Sequence, residues 1–296
     1  MAKNVKQTVL SRLLPARFNK SVKVVPLVRL SGVINAAPSL RPGLSLASAD
    51  KMLERAFSMK GIAAVAIAVN SPGGSPAQSA LIHNRIRQLA AENEVPVYAF
   101  CEDVAASGGY MLAIAGDEIY GQRFSIIGSI GVVSAGFGFV DAISKLGIER
   151  RVYTAGKNKS VLDPFQPEKK QDVERLKKIQ LDIHQGFIDM VKARRQAKLP
   201  TEEGEIFTGA FWAAPAAKEM GLIDGIGDMH TILREKFGDK VKIKPVPPSG
   251  GLSLRRLLSK SDAQFPASLD VNLSGDFAEE FITSLEKRGL WQRFGL

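Results

Sequence analysis

Ser107 stands in Asp103-Val104-Ala105-Ala106-Ser107-Gly108-Gly109-Tyr110, with alanines before it and glycines after it. Neighbours with almost no side chain leave room for an acyl group to reach the hydroxyl. The two glycine N–H groups that follow are of the kind that stabilises a developing oxyanion. A serine hydroxyl is a weak nucleophile at neutral pH until a base accepts its proton. The segment therefore points to acyl transfer and requires a base from elsewhere in the chain.

A histidine base would have to come within about 3 Å of the serine. Of the three histidines, His83 falls in an expected helix over residues 77–92, where Ile82 and Ile86 mark the buried side and His83 reads as a surface residue. His184 is in the middle of a long helix and His230 is near a helix start. None sits in a loop that would naturally approach Ser107. Lys157 and Lys159 lie in Tyr153-Thr154-Ala155-Gly156-Lys157-Asn158-Lys159-Ser160, a glycine-hinged turn, and on their own they read as a solvated loop pair. The histidines and the single Cys101 are too far apart in sequence for a zinc-binding spacing, so neither a metal nor a cofactor is expected. One cysteine permits no internal disulfide framework and suits a reducing compartment.

The elements that must position these residues alternate in type. Strands are expected over 22–33, 62–69, 95–100, 118–121 and 131–133. Helices are expected from Ser48, as N-cap, to Phe57, then over 77–92 and 108–115. Ile62–Val69 is a continuous apolar run, as in a central parallel strand covered on both faces. This alternation implies βαβ units and an α/β fold whose sites gather beyond the carboxyl ends of the strands. The two turns Ser71-Pro72-Gly73-Gly74 and Ser107-Gly108-Gly109 both fall there. Glu168–Ala197 carries an apolar stripe at Val173, Leu176, Ile179, Ile183, Phe187, Met190 and Val191, bracketed by Pro167 and Pro200, and predicts a long projecting helix. A turn, a helix and a short strand are expected over 206–227. Pro245–Gly251 reads as a linker, and Asp276 with Glu279 opens a C-terminal amphipathic helix on Phe277, Phe281, Ile282 and Leu285. Three segments result: a tail over 1–21, a domain over 22–245, and a linker with a helical extension over 246–296.

The chain of 296 residues is 45% hydrophobic and 24% charged, with a net charge of +10. Residues 1–30 hold Lys3, Lys6, Arg12, Arg17, Lys20, Lys23 and Arg29 and no acid. Val5, Val9, Leu10, Leu13 and Leu14 share a helical face there, which suits either a peripheral contact with an anionic membrane surface or a solvated, partner-docked tail. The tail is neither long nor apolar enough to span a bilayer and lacks the pattern of a secretory signal. With 7% aromatics and no glycine-aromatic motif, nucleic acid is not an expected partner.

Five segments in order resemble peptidase family S49, the signal peptide peptidase A and SohB-like serine proteases. They are Ser71-Pro72-Gly73-Gly74, Ala106-Ser107-Gly108-Gly109-Tyr110, Gly128-Ser129-Ile130-Gly131-Val132, Ala155-Gly156-Lys157-Asn158-Lys159 and Gly221-Leu222-Ile223-Asp224. The resemblance covers roughly residues 22–245 and implies a ClpP/crotonase-like spiral of βαβ units. It further implies Ser107 as nucleophile, Lys159 as general base, Ser129 as the residue that orients the lysine, and Gly74 and Gly108 as oxyanion-hole donors. A lysine ordinarily titrates near pH 10, and lowering that by roughly three units costs about 4 kcal/mol relative to water, so a lysine base must be buried.

The resemblance implies a Ser/Lys endopeptidase acting on extended apolar peptides, such as signal-peptide remnants or membrane-protein fragments. It also implies a homo-oligomer in which serine and lysine meet across a subunit boundary, with the long helix as a packing element. The expected location is the cytoplasm, including the inner face of the membrane. Two other readings keep the fold. A crotonase-like acyl-CoA enzyme would use the same glycine turns but relies on glutamates, which the Ser107–Lys159 pair speaks against. An inactive scaffold is disfavoured because both dyad positions are filled. A ClpP-like triad lacks its histidine, since none occurs between Ser107 and His184.

Overall fold

A computed structural model of the chain describes residues 22–35, 43–248, 284–285 and 288–296. Among them, the strands β1 (Val24–Ser31), β2 (Val65–Ser71), β3 (Val97–Ala106), β4 (Glu118–Gly121), β5 (Ile126–Gly128), β6 (Phe211–Ala213), β7 (Gly225–Ile226) and β8 (Lys242–Pro245) form one sheet. Its order is β6-β5-β3-β2-β1-β8, with β4 beside β3 and β7 beside β4. Every pairing is parallel except β5 with β6. The helices are α1 (Leu46–Phe57), α2 (Pro76–Asn93), α3 (Gly108–Ala113), α4 (Val140–Lys145), α5 (Lys170–Arg195), α6 (Ala214–Glu219) and α7 (Met229–Phe237). The α/β class and the repeated βαβ steps are as expected.

Alternation along the central strands separates two layers. Val65, Ile67, Val69, Val97, Ala99 and Cys101 face the larger core, built with α1, α2, α3, α5 and α6. Ala64, Ala66, Ala68 and Phe100 face the other side, under Leu233 of α7. Both faces of β2 are therefore apolar, which is why its sequence shows no polar alternation. Burial pushes the Cys101 thiol up to about 12, so this cysteine is a packing residue.

Several boundaries differ from expectation. α1 begins at Leu46 with Ser45 as N-cap. Ser48 is its N3 partner in a reciprocal capping box, so the expected N-cap lies three residues inside the observed one. β3 runs on to Ala106, directly before Ser107. No strand forms over 131–133. β5 occupies Ile126–Gly128 instead and stops where Ser129 takes a φ of 53°. β8 and α4 were not expected from the sequence.

α5 buries Phe187, Val191 and Arg195 in its C-terminal half, while its N-terminal half is largely exposed, as a projecting helix requires. Arg195 anchors the buried end. Its guanidinium donates to the Gly221 carbonyl and to Asp224 at 2.8 Å, and the same carboxylate accepts from the Ile119 N–H and from Lys198. Burial works to raise the Asp224 carboxyl, but the Arg195 and Lys198 bonds outweigh it and hold the group below its ordinary value. The N-terminal tail, residues 249–251 of the linker, Arg255, Arg256 and the Asp276/Glu279 helix start lie outside the described residues. Residues 284–285 and 288–292 are helical.

Candidate active site

β3 ends at Ala106 and α3 begins at Gly108, so Ser107 alone makes the turn from strand to helix. Its backbone takes φ 53° and ψ −123°. A non-glycine residue in such a region costs on the order of 1–3 kcal/mol and persists only where its surroundings over-determine it. The Ser107 N–H donates to the Gly128 carbonyl at 2.8 Å, and the Ser107 carbonyl accepts from the N–H groups of Tyr110 and Met111. Tyr110 is buried and donates its hydroxyl to the Leu222 carbonyl at 2.7 Å, which ties α3 to the Gly221–Asp224 turn. Burial raises the Tyr110 hydroxyl far above its ordinary value and keeps it neutral.

The first glycine turn abuts this serine. Gly73 and Gly74 take φ of 105° and 139°, a region that L side chains rarely adopt. A Cβ on Gly73 would lie 2.8 Å from the Ser107 Cβ and 2.9 Å from the Gly108 nitrogen. The turn is fixed from outside: the Ile34 N–H donates to the Gly73 carbonyl and the Ser75 N–H to the Ile34 carbonyl, each at 2.8 Å. Gly108, as the first residue of α3, has no intrahelical acceptor for its N–H.

Ser107, Gly74 and Gly108 line a small cleft, and Met111, Ile183 and Phe187 give it an apolar wall. Pro76, Gly131 and Val132 complete the lining. His184, next to Ile183 on α5, donates Nε2–H to the Ile130 carbonyl at 3.0 Å and so pins the backbone leading into Gly131. The long helix thus contributes two apolar side chains and one polar anchor to the cleft. Ile183 and Phe187 belong to a stripe legible in the sequence, but nothing in that stripe says which of its members meet Ser107.

The remaining expected site residues lie elsewhere. Ser129 is buried, one residue beyond the acceptor of the Ser107 amide, and its own N–H donates to the Ala210 carbonyl at 2.7 Å. It does not line the cleft. Lys159 and Lys157 are both exposed, on a segment whose residues from 133 to 159 are largely open to solvent. Lys159 does not line the cleft either, so its own chain does not supply the desolvation that a lysine base needs.

His83 is a correction. It is buried and donates Nδ1–H to the Met111 carbonyl at 2.9 Å. Burial lowers it to about 4 despite that bond, leaving a neutral ring braced against α3. The stripe Ser79, Ile82, His83, Ile86 places it on the buried face, a pattern that the polarity of histidine obscured. His230 is exposed near the start of α7. Among the described residues no group of three or more His, Cys, Asp or Glu could hold a metal ion.

The sequence model of peptidase family S49 matches residues 90–242, which include the Ser107 turn, the Gly128–Val132 segment and the Lys159 turn. A Brucella melitensis protein named Na(+)/H(+) antiporter NhaA is 52% identical over 97% of this chain, and the chain spans 39% of that protein's length. The chloroplastic serine protease SPPA of Arabidopsis thaliana is 32% identical over 69% of this chain and 31% of its own. A solved structure of a mutant of the membrane-bound stomatin-specific protease 1510-N aligns with a TM-score of 0.45 at 16% identity, covering 77% of this chain and all of that one.

Proposed function

The chain belongs to peptidase family S49, and from that premise we propose that it is a serine endopeptidase with Ser107 as nucleophile and Lys159 as general base. The observation that carries this reading is the Ser107 backbone. A serine held at φ 53° between a strand and a helix, with glycine backbone packed against it, lines a cleft that also has apolar side chains in its wall.

In this reading the neutral Lys159 amine takes the hydroxyl proton as Ser107 Oγ attacks the peptide carbonyl. The Gly108 and Gly74 N–H groups stabilise the oxyanion, and Ser129 orients the lysine. Lys159 returns the proton to the leaving amine, giving an acyl-enzyme. It then takes a proton from water as that water attacks the acyl carbonyl, and returns the proton to Ser107 Oγ as the acid leaves.

The exposure of Lys159 is consistent with a base that is buried by a second copy of the chain. The segment around it displays Phe137, Leu146, Ile148 and Tyr153, the last 91% exposed, and apolar surface of this kind marks an interface. A homo-oligomer in which Lys159 of one copy meets Ser107 of another satisfies both facts. The lining of Met111, Ile183 and Phe187 suits extended apolar peptides, including fragments of membrane origin. Within the chain, residues 22–245 form the peptidase unit. A cytoplasmic location with contact at the membrane face fits such substrates. Among the described residues no helix is long and apolar enough to cross a membrane. The antiporter name belongs to proteins of which this chain spans 39%.

Reaction with a fluorophosphonate probe followed by peptide mapping tests the nucleophile. The expected label is on Ser107 and disappears in Ser107→Ala. Equal labelling of the variant would refute the assignment.

A further inference from the structure

The outward face of β3 carries two separate coverings. Near the amino end, Tyr98 and Phe100 lie under α7, with Tyr98 edge-on to Phe237. Near the carboxyl end, Val104 and Ala106 form their own cluster with Phe294, and Ile126 and Trp291 pack at its margin. Phe294 is 7% exposed and meets Phe211 of β6 edge-to-face at 5.0 Å.

This seat lies directly behind the catalytic turn. Ala106 precedes Ser107 and pairs with Gly128, which in turn pairs with Phe211. Gly128 is also the acceptor of the Ser107 amide. One aromatic ring therefore rests on both flanks of the strand row that fixes the strained serine.

In sequence, 35 residues separate the segment that carries this covering from the end of the described body. The body ends just past β8, at the far edge of the sheet, and residues 249–283 intervene before the terminus is reached. β8 stands three strands from β3 and four from β5, roughly 15–20 Å at about 4.8 Å per strand. A chain of that length can span the distance several times over, so connectivity alone does not place Phe294 in its seat.

We propose that the C-terminal residues Trp291–Phe294 are a docking peptide, that Val104, Ala106, Ile126 and Phe211 form its binding site, and that filling this site braces the Ser107 turn. Docking stands on the geometry alone, while the effect on catalysis rests on the peptidase reading above. The physical reason is the one that makes Ser107 costly: its conformation depends on what surrounds it, and the terminus is the part of those surroundings that can leave.

The test uses the full chain carrying Trp291→Ala with Phe294→Ala, and a fluorescein-labelled synthetic peptide of residues 284–296. In fluorescence polarisation the variant binds the peptide saturably and at least about tenfold more tightly than the wild-type chain, whose own tethered terminus competes at high effective concentration. A peptide carrying Phe294→Ala does not bind. Fluorophosphonate labelling of Ser107 slows about tenfold in the variant and recovers when the wild-type peptide is added. Phe211→Ala, at a residue 42% exposed, weakens peptide binding without emptying the core, which keeps the test decisive should the double variant melt early. Equal binding by both chains, or binding that persists without Phe294, overturns the docking site. Unchanged labelling of the variant overturns the brace. Failure of the wild-type chain to label at all counts against the peptidase reading and leaves the binding result to decide the docking site.

Discussion

The amide of Ser107 donates a 2.8 Å hydrogen bond to the carbonyl of Gly128. That bond joins the ends of β3 and β5 at the points where each chain turns away, and the residues that make the turns, Ser107 and Ser129, both hold φ at 53°. Two of the five segments that resemble the family are thus locked to each other through backbone. The first glycine turn is wedged against the same serine.

Gly73→Ala tests the wedge. The new methyl meets both the Ser107 Cβ and the Gly108 nitrogen and would hold an unfavourable φ, so the serine has to move. A displacement of about 1 Å at a reacting group costs on the order of 100-fold in rate, and that loss in kcat/KM is expected along with a lower Tm. Activity preserved in Gly73→Ala would show that the turn does not position the nucleophile.

His184→Ala tests the anchor from α5. Releasing the Ile130 carbonyl loosens the backbone that lines the cleft at Gly131 and Val132. An extended peptide substrate is expected to show KM raised about tenfold, the equivalent of one hydrogen bond. Labelling by a small fluorophosphonate should be unaffected, and His184→Gln, which keeps a donor, should recover part of the loss. A fall in kcat and labelling together would mean that His184 acts on the nucleophile and not on substrate binding.

How far the sequence could reach is clear from particular residues. The apolar runs of β2 and β3 and the stripe of α5 were legible because apolar composition and periodicity are local properties. Ser107 and the two glycine turns were legible because small residues cluster wherever backbones must touch. His83 was misassigned because its partner, the Met111 carbonyl, lies 28 residues away, and polarity argued for the surface. The strand expected over 131–133 failed because the positive φ of Gly128 and Ser129, invisible in hydropathy, ends β5 before it. The seat of Phe294 could not be foreseen, since it depends on a contact across the sheet between the last residues and β3.

His83 gives the stability a pH dependence of known sign. Its ring is held near 4 in the folded chain against 6.5 in the unfolded chain, so the unfolded state binds the proton more readily. The stabilisation is complete above about pH 6.5 and is lost as pH falls toward 4, approaching about 3 kcal/mol at the low end. Thermal melts should show the wild type losing more Tm between pH 7 and pH 4.5 than His83→Gln does. Parallel curves for the two proteins would remove His83 as the cause.

A peptidase whose serine and lysine meet between copies of the chain allows two defective copies to complement each other. Co-expression of Ser107→Ala with Lys159→Ala, assayed on an apolar reporter peptide, tests it most directly. Each variant alone is expected to fall below about 1% of wild-type activity, as removal of either member of an acting pair does. The co-expressed pair is expected to regain a measurable fraction, because mixed oligomers place an intact Ser107 against an intact Lys159. Full activity in either single variant, or no recovery in the mixture, would contradict the account.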